Sequence, residues 1–531
     1  MRAGEIVEDN AANWKPRFNP WVIALTVTLA TFMEVLDTSI ANVALPHIAG
    51  GLSAGVDEST WVLTSYLVAN AVILPISAWI ADRVGRKRFY MSCVALFTIS
   101  SFMCGLAPTL PMLIFFRVLQ GMGGGGLAPS EQAILADTFE PKKRGMAFAV
   151  YGMAVVMAPA IGPTLGGYIT DNLSWRWIFY INVPIGILSL LLTQRIVEDP
   201  PYLKEAARRS RNFRIDYVGL GLVTIGLGAL QVVLDKGQED DWFGSPLILT
   251  FTIIAVVGLL AFVLWEWQEQ HPIVNLRLFR NRGFAISNFL MFCLGATLYG
   301  TTVLIPQFLQ VIMGYTAERS GEVLTPGAFV IILLLPLVGR LVGRVDARYL
   351  ISFGFAVLGL SMLHMTSLYP GVDFGTATMY RVYQCAGLAF LFVPINTVAY
   401  LGVPANENNQ VSGMINLMRN VGGSVGISSV TTLLARRSQL HQSNLVGGLD
   451  AGNLGLHNFI NGLGQRLSMV GAGAYGGTMQ SYGRLYQLVA QQAAVLAYED
   501  VIWLCAVVCL CLVPLVFLLK KSKPEAVHAG H

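Results

Sequence analysis

The chain consists largely of apolar runs of about twenty residues, each long enough to cross a lipid bilayer as a helix. Roughly fourteen such runs follow one another, with ends uncertain by a few residues. The first eight are residues 21–43, 61–81, 89–107, 111–135, 146–169, 177–194, 217–234 and 245–265. The other six are residues 284–309, 323–342, 350–368, 378–401, 411–434 and 501–519. An all-α membrane protein with both termini on one side is predicted.

Composition supports lipid as the solvent. Only 12% of the residues are charged and 54% are hydrophobic, whereas soluble chains carry about 25% charged residues. All seven cysteines lie inside apolar runs, which predicts small buried side chains and no disulfide framework. The first twenty residues are polar and the first run is long enough to span, so no cleaved signal peptide is expected.

Several other site classes are disfavoured. The basic residues form no single domain with a nucleic-acid motif. The run Gly123 to Gly126 lacks the lysine of a phosphate-binding loop and is predicted to pack helices together. His47, His364, His441 and His457 lack metal-ligand spacing, so neither a metal nor another cofactor is expected.

The loops between runs differ in charge, and the basic ones alternate along the chain. Basic side chains follow the second, fourth, sixth, eighth, tenth and last runs: Arg83, Arg86, Lys87, Arg88, Lys142, Lys143, Arg144, Arg208, Arg209, Arg211, Arg214, Arg277, Arg280, Arg282, Arg340, Arg344, Arg348, Lys520, Lys521 and Lys523. Because an excess of Lys and Arg marks cytoplasmic loops, these loops and both termini are predicted to be cytoplasmic. The predicted location is the cell inner membrane.

An internal repeat relates the two halves. The residues Gly152, Met153, Met157 and Gly162 recur 261 positions later as Gly413, Met414, Met418 and Gly423. Arg117 and Gln120 similarly recur as Arg381 and Gln384. Chance similarity between apolar helices is the alternative, but the matches keep their order. Matching helices run in the same direction, so two parallel six-helix bundles plus an inserted two-helix hairpin are predicted.

This repeat suggests a domain plan. It comprises a cytoplasmic N-terminus (1–20), a first bundle (21–196), linkers with the hairpin (197–283), a second bundle (284–436 and 498–519), a long outer loop (437–497) and a cytoplasmic tail (520–531). Loops of that length usually have a function or are disordered. Stretches 454–467 and 482–498 look helical, so a folded helical hairpin is expected.

Charged residues inside predicted spans are functional candidates because burying charge in lipid is costly. The clear cases are Glu34, Asp37, Arg117, Arg381 and Arg419. Asp37 and Arg117 are predicted to lie at similar depth and to meet, with Glu34 one turn deeper on nearly the same face. Two acids near one guanidinium could load and release a proton. The alternative is a purely structural ion pair.

Four ordered motifs carry a family resemblance. The segment from Leu36 to Pro46 resembles the first-helix signature of fourteen-helix drug:proton antiporters of the major facilitator superfamily. The loop with Asp82, Arg83, Gly85 and Arg86 resembles the superfamily's gating loop. Arg117 with Gln120, Gly121 and Gly123 resembles the proton-coupling motif. The fifth run resembles the antiporter motif through Gly152, Pro159, Gly162, Pro163, Gly166 and Gly167.

The resemblance covers nearly the whole chain and implies the major facilitator fold, with proton coupling at Asp37, Glu34 and Arg117. Segment 234–243 and the long outer loop resemble the EmrB-type multidrug exporters. That subfamily implies a periplasmic membrane-fusion protein and an outer-membrane channel as partners. There are departures: Ala78 stands where the gating loop favours glycine, Gly343 stands opposite Asp82, and the second half offers no acid opposite Asp37.

The expected function is export of hydrophobic or amphipathic small molecules by alternating access, driven by the proton motive force, with no enzymatic reaction. A dedicated metabolite or siderophore exporter and a nontransporting receptor or scaffold are the alternatives. The cavity is expected to be largely apolar with a few polar groups: Gln132, Arg381, Gln384, Asn396, Asn416 and Arg419.

Overall fold

A computed structural model of the chain describes residues 14, 16–201, 203, 216–449, 454–467, 469 and 473–519. The predicted anchors at Arg208, Arg209, Arg211, Arg214, Lys520, Lys521 and Lys523 lie outside the described residues. The helices of twelve residues or more are numbered below in chain order.

The first half contains seven of these helices because one predicted span is divided in two. They are α1 Pro20–Gly51, α2 Trp61–Val84, α3 Arg86–Leu106, α4 Leu110–Gly124, α5 Leu127–Thr138, α6 Pro141–Asn172 and α7 Asn182–Ile196. The predicted hairpin is α8 Tyr217–Lys236 and α9 Pro246–Gln268.

The second half contains the remaining helices. They are α10 Arg282–Gln307, α11 Ala317–Leu341, α12 Ala347–Met365, α13 Phe374–Ala399, α14 Asn408–Gly447, α15 Leu454–Leu467 and α16 Gly473–Val516. In the described part of the chain, thirteen segments are helical, long and apolar enough to cross a membrane, counting α4 and α5 as one. The protein is therefore a multi-pass membrane protein.

Helix α14 is the predicted span that this criterion leaves out. Its buried residues include Asn408, Asn409, Gln410, Asn416 and Arg419, so its composition is too polar for a lipid-facing helix. It packs against α2 and α5 of the first half and against α10 and α16 of the second. A helix enclosed by others can carry polar side chains at membrane depth, provided that these side chains find partners. Helix α14 is therefore consistent with the fourteenth span.

The predicted fourth span is present as the segment Leu110–Thr138, with a turn at Gly125 and Gly126 between α4 and α5. A Cβ on Gly125 would lie 2.6 Å from the backbone oxygen of Asn70. One on Gly123 would lie 2.7 Å from the amide nitrogen of Phe97. The glycine run therefore lets this segment approach the backbones of α2 and α3, as predicted.

The outer segment is helical as expected, but its helices exceed the predicted loop limits. Helix α14 runs on to Gly447, α15 matches the predicted stretch 454–467, and α16 begins at Gly473 and continues into the last span. Helix α15 packs on α16. His441 of α14 and Asp500 of α16 join these two helices, with Nε2 and Oδ2 2.8 Å apart. The stretch 482–498 is thus part of a long helix that extends beyond the last predicted span, at the end of the protein opposite the Arg- and Lys-rich loops.

The hairpin contacts both halves near the turn between α8 and α9. Helix α8 packs on α2 and, less extensively, on α14. Gln231 Nε2 donates to Ser424 Oγ on α14 over 3.0 Å, and Trp242 Nε1 donates to Thr432 Oγ1 over 3.1 Å. Asp235 accepts a hydrogen bond from Thr64 on α2. The inserted helix pair therefore contacts α2 of the first half and α14 of the second half.

Replacing Gly123 with alanine is expected to destabilise the folded protein by about 1–3 kcal/mol, because the added methyl group would overlap backbone atoms of α3. Gly167→Ala is the matched control, since a Cβ there meets nothing within 4 Å. Thermal unfolding in detergent measures both variants. Equal midpoints for Gly123→Ala and Gly167→Ala would contradict the close approach.

Candidate functional site

The carboxylate of Asp37 is buried in the middle of the first half, with 2% of the residue exposed. Its Oδ2 accepts a hydrogen bond from Arg117 Nη1 over 2.6 Å. Its Oδ1 accepts from Gln120 Nε2 over 3.0 Å and from Asn182 Nδ2 over 2.7 Å. The predicted meeting of Asp37 and Arg117 is confirmed. Three donors, one of them cationic, thus surround this buried carboxylate.

The guanidinium of Arg117 joins several helices and is fully buried. Besides Asp37 on α1, its Nε donates to the carbonyl of Val62 on α2 over 3.0 Å. Its Nη1 also donates to Gln120 Oε1 over 2.8 Å. The cation lies over the ring of Tyr66, 4.3 Å from the centroid, where the ring quadrupole attracts it. Removing Arg117 would leave Asp37 buried without a cation.

Glu34 occupies a different environment from the one predicted. Its Oε1 accepts hydrogen bonds from Tyr66 Oη and Asn70 Nδ2, each over 3.1 Å. Its partners are therefore two neutral donors of α2, and no ion pair joins it to Arg117 among the described residues. Tyr66 explains the separation because its ring packs on the Arg117 guanidinium while its hydroxyl reaches Glu34.

The repeat reproduces half of this arrangement in the second half. Arg381 Nη1 donates to Gln384 Oε1 over 2.6 Å, which parallels the bond from Arg117 to Gln120. No described carboxylate pairs with Arg381 within 4.0 Å, in agreement with the missing acid opposite Asp37. The two arginines therefore share a local geometry, and one of them pairs with an acid.

A second polar cluster joins the two halves through α14. Asn416 Nδ2 donates to Gln132 Oε1 on α5 over 2.9 Å. Arg419 Nη1 donates to Tyr151 Oη on α6 over 2.8 Å. Asn420 Nδ2 donates to Asn70 Oδ1 over 3.3 Å, which connects α14 to the residue that binds Glu34. Polar side chains of α14 thus form hydrogen bonds with side chains of the first half.

The loop between α2 and α3 lies against the start of α14. Gly85 has φ +98°, a conformation that favours glycine and lets the chain reverse. Asp82 Oδ1 accepts a hydrogen bond from Asn409 Nδ2. Arg86 pairs with Asp137 at the end of α5. Arg83 lies over the ring of Trp79, 5.5 Å from its centroid.

A neighbouring contact closes the same end of the molecule, called here the basic side after its arginine and lysine loops. Asn408 Nδ2 donates to Asp137 Oδ1 over 2.5 Å. Gly145 and Gly339 approach so closely that a Cβ on either would lie 2.8–2.9 Å from the other's carbonyl oxygen. These contacts join the halves at the basic side.

The glycines of α6 have different surroundings. Added Cβ atoms would overlap the Ser39 side chain at Gly162 and contact Ile40 of α1 at Gly166. A Cβ on Gly152 would lie 3.1 Å from the Phe392 ring in the second half, and one on Gly167 would meet nothing within 4 Å. Pro159 and Pro163 lie inside the helix, and Ser39 Oγ donates to the Pro159 carbonyl over 3.4 Å. Close packing therefore holds for three of these glycines and is wrong for Gly167.

Sequence comparison gives the family. The profile described as Major Facilitator Superfamily matches residues 27–427. The chain belongs to this superfamily.

Named relatives cover almost the whole chain. It is 36% identical over 503 residues to "Multidrug export protein EmrB" of Escherichia coli (strain K12), covering 94% of this chain and 95% of that protein. It is 37% identical over 501 residues to "Fatty acid resistance protein FarB" of Neisseria gonorrhoeae, covering 94% and 96%. The proton:xylose symporter XylE shares the fold, with a TM-score of 0.58 at 14% identity over 96% of this chain and 97% of that one.

The predicted polar lining of the superfamily's central cavity needs correction. A cavity between the halves is lined by apolar residues: Gly152, Val155, Val156, Leu294, Leu298, Ile331, Leu335, Leu388 and Phe392. None of the predicted lining residues is among them, since Gln132, Asn416 and Arg419 bond across the halves, and Arg381 bonds to Gln384. Asn396 donates to the Phe392 carbonyl of its own helix over 2.9 Å.

Sequence reasoning also missed several members of the site. Asn182 binds Asp37, Tyr66 and Asn70 bind Glu34, and Tyr151 binds Arg419. Glu131 is a carboxyl group within the predicted span 111–135, with no exposed surface. The rule that selected Asp37, a charge at membrane depth, would have found Glu131, whereas the neutral partners carry no comparable signal.

Removal of the bond between Asp82 and Asn409 is expected to open the basic side. Losing a hydrogen bond to a charged group costs about 1–3 kcal/mol, enough to change a two-state ratio roughly tenfold. Spin labels at the exposed positions Lys143 and Arg344, with exposed Cys511 replaced by serine, report the distance between the halves.

The variants are Asp82→Ala and Asn409→Ala, and the control is Asn444→Ala at the exposed far end of α14. Both test variants should increase the population with a long distance between the labels. A distance distribution identical to that of the control would show that this contact does not hold the halves together.

Proposed function

We propose that the chain exports hydrophobic or amphipathic small molecules from the cytoplasm in exchange for protons. It would act in the cell inner membrane with both termini cytoplasmic, by alternating access and without an enzymatic reaction. The observation that carries the proposal is the buried Asp37 carboxylate with its three donors, in a chain related to a multidrug export protein over nearly its full length. The apolar cavity between the halves suits an apolar cargo.

A proton on Asp37 would change the forces on Arg117. Separating the pair is costly, because either charge would then be buried without its partner. Protonation removes the negative charge and leaves the guanidinium with the neutral acceptors Val62 and Gln120. The helices that meet at Arg117 then favour a different packing, so binding and release of the proton can be linked to a shift between two states.

Glu34 connects protonation of Asp37 to the contacts between the two halves. Tyr66 contacts both Arg117 and Glu34, and Asn70 contacts both Glu34 and Asn420 of α14. A displacement of Arg117 is therefore expected to reach the second half through two side chains of α2. The roles of Asp37, Glu34 and Arg117 in coupling rest on this route.

The variant Asp37→Asn is expected to bind and exchange drug but to lose uphill transport. Asparagine cannot release a proton, so a pH gradient can no longer drive the cycle. Purified protein in liposomes, with ethidium as the probe, gives both measurements: uptake driven by an imposed pH gradient, and exchange of bound for labelled ethidium without a gradient. The matched control is Asp171→Asn, an acid that is 69% exposed.

Asp37→Glu should retain part of the activity because the titratable group remains. Uphill transport by both Asp37→Asn and Glu34→Gln at the rate of the control would show that these acids are structural. Transport that ignores the pH gradient in the unmodified protein would instead exclude proton exchange. No transport with intact ethidium binding would favour a receptor, and selectivity for one metabolite would favour a dedicated exporter.

The helical extension formed by the end of α14, by α15 and by the start of α16 is proposed to dock a periplasmic membrane-fusion protein. An outer-membrane channel would be the third protein of this efflux system. Helices α14 and α16 are longer than a membrane requires, with 40 and 44 residues against about 20 for a span. Helix α15 packs on α16. Large apolar side chains are exposed there, including Leu454 at 77%, Tyr486 at 62% and Tyr482 at 50%. Exposed aromatic residues are typical of interface cores.

The double variant Tyr482→Ser/Tyr486→Ser should lose its membrane-fusion protein while keeping its own transport. Its control is Tyr168→Ser, a similarly exposed tyrosine on α6 outside the extension. The measurements are co-purification of a co-expressed membrane-fusion protein, drug resistance of the cells and ethidium transport in liposomes. Co-purification and resistance equal to those of the control would exclude these tyrosines as the docking surface.

A further inference from the structure

Glu131 on α5 is a buried carboxyl group that the coupling site around Asp37 does not use. None of its surface is exposed. Its Oε1 accepts a hydrogen bond from Thr28 Oγ1 on α1 over 2.6 Å, while its Oε2 has no hydrogen-bond partner within the described part of the chain.

Charged and titratable groups face Glu131 from four of the helices around it. Glu34 faces it from α1, Tyr90 from α3, Tyr151 from α6 and Arg419 from α14, all close enough for electrostatic interaction. Arg419 donates to Tyr151, and Tyr90 donates to the Val27 carbonyl. No described cation lies within the 4.0 Å of an ion pair with Glu131.

This environment suits a neutral carboxylic acid better than a carboxylate. An ionised carboxylate that is buried without a paired cation carries a large desolvation penalty. The neutral acid carries none of that penalty, and its proton needs one acceptor. Thr31 Oγ1, about one turn along α1 from Thr28, also faces this carboxyl group and has no hydrogen bond of its own in the described structure. A proton on Oε2 would satisfy both oxygens.

Glu131 also lies on the basic side of the other two acids. Its partner Thr28 precedes Asp37 by nine residues of α1, a distance of roughly 13 Å along a helix, and Glu34 lies between them. Asp37, Glu34 and Glu131 therefore form a descending series from the outer half of the membrane toward the basic side.

We infer that Glu131 is a second proton-carrying carboxyl group of the transport cycle, protonated while the basic side is closed and deprotonated when that side opens. The O–H bond at Glu131 then breaks, the proton passes to water on the basic side, and the carboxylate remains within electrostatic range of Arg419. The inference rests on the proposed function and deepens it, because it places the proton's exit on a helix that no sequence motif singled out.

Infrared difference spectroscopy of the purified chain during a pH titration tests protonation directly. A protonated carboxyl group gives a C=O stretching band that shifts in D2O and disappears on ionisation. Glu131→Gln should lose one such band, while the control Glu322→Gln, an exposed acid on α11, should keep all of them. An unchanged set of bands in Glu131→Gln would overturn the inference.

The same variants in liposomes test participation in the cycle, with ethidium uptake followed while the pH on the basic side is varied. Glu131→Gln should lose the dependence of uphill transport on that pH, and Glu131→Asp should restore the dependence with a shifted midpoint. A pH profile for Glu131→Gln that matches the Glu322→Gln control would also overturn the inference. Transport by the unmodified protein that does not depend on protons would instead contradict the proposed function. The infrared titration does not require transport, so it tests protonation of Glu131 separately.

Discussion

The buried ion pair between Arg117 and Asp37 is the interaction on which the first half depends. In lipid, neither charge can be solvated by water, so each requires the other, together with the neutral groups that complete its hydrogen bonds. Meeting that requirement fixes α1, α2, α4 and α7 relative to one another. The same requirement makes the pair sensitive to a single proton, because protonation removes one of the two charges that hold these helices.

The second constraint is the polarity of α14. A helix with Asn408, Asn409, Asn416 and Arg419 buried along one side must be enclosed by partners that can hydrogen-bond. Those partners lie in the first half, at Asp137, Asp82, Gln132 and Tyr151. The halves are therefore joined by polar contacts between groups that water could replace when a gap opens. Apolar contacts line the cavity between them, where a hydrophobic cargo can replace protein contacts.

The polar contacts and the apolar contacts would serve different steps of the proposed transport cycle. In the proposed cycle, the buried ion pair and its hydrogen bonds respond to protons, and the apolar surface that includes Leu335 and Phe392 meets the cargo. Tyr66 and Asn70 connect the polar groups, because Tyr66 contacts Arg117 and Glu34 while Asn70 contacts Glu34 and α14. Coupling in this protein thus requires few specific groups beyond the ones that already stabilise its fold.

The sequence alone determined the spans, the repeat, the family and the pairing of Asp37 with Arg117, because length, composition and depth are local properties of a chain in lipid. It could not supply the direction in which each side chain points. Glu34 turns to Tyr66 rather than to Arg117, and Gln132 turns to Asn416 rather than to a cavity. The contact of Glu131 with Thr28 likewise depends on how α5 packs on α1. Helix rotation and close approach are set by the packing of all the helices together, so only the tertiary structure decided which polar groups meet.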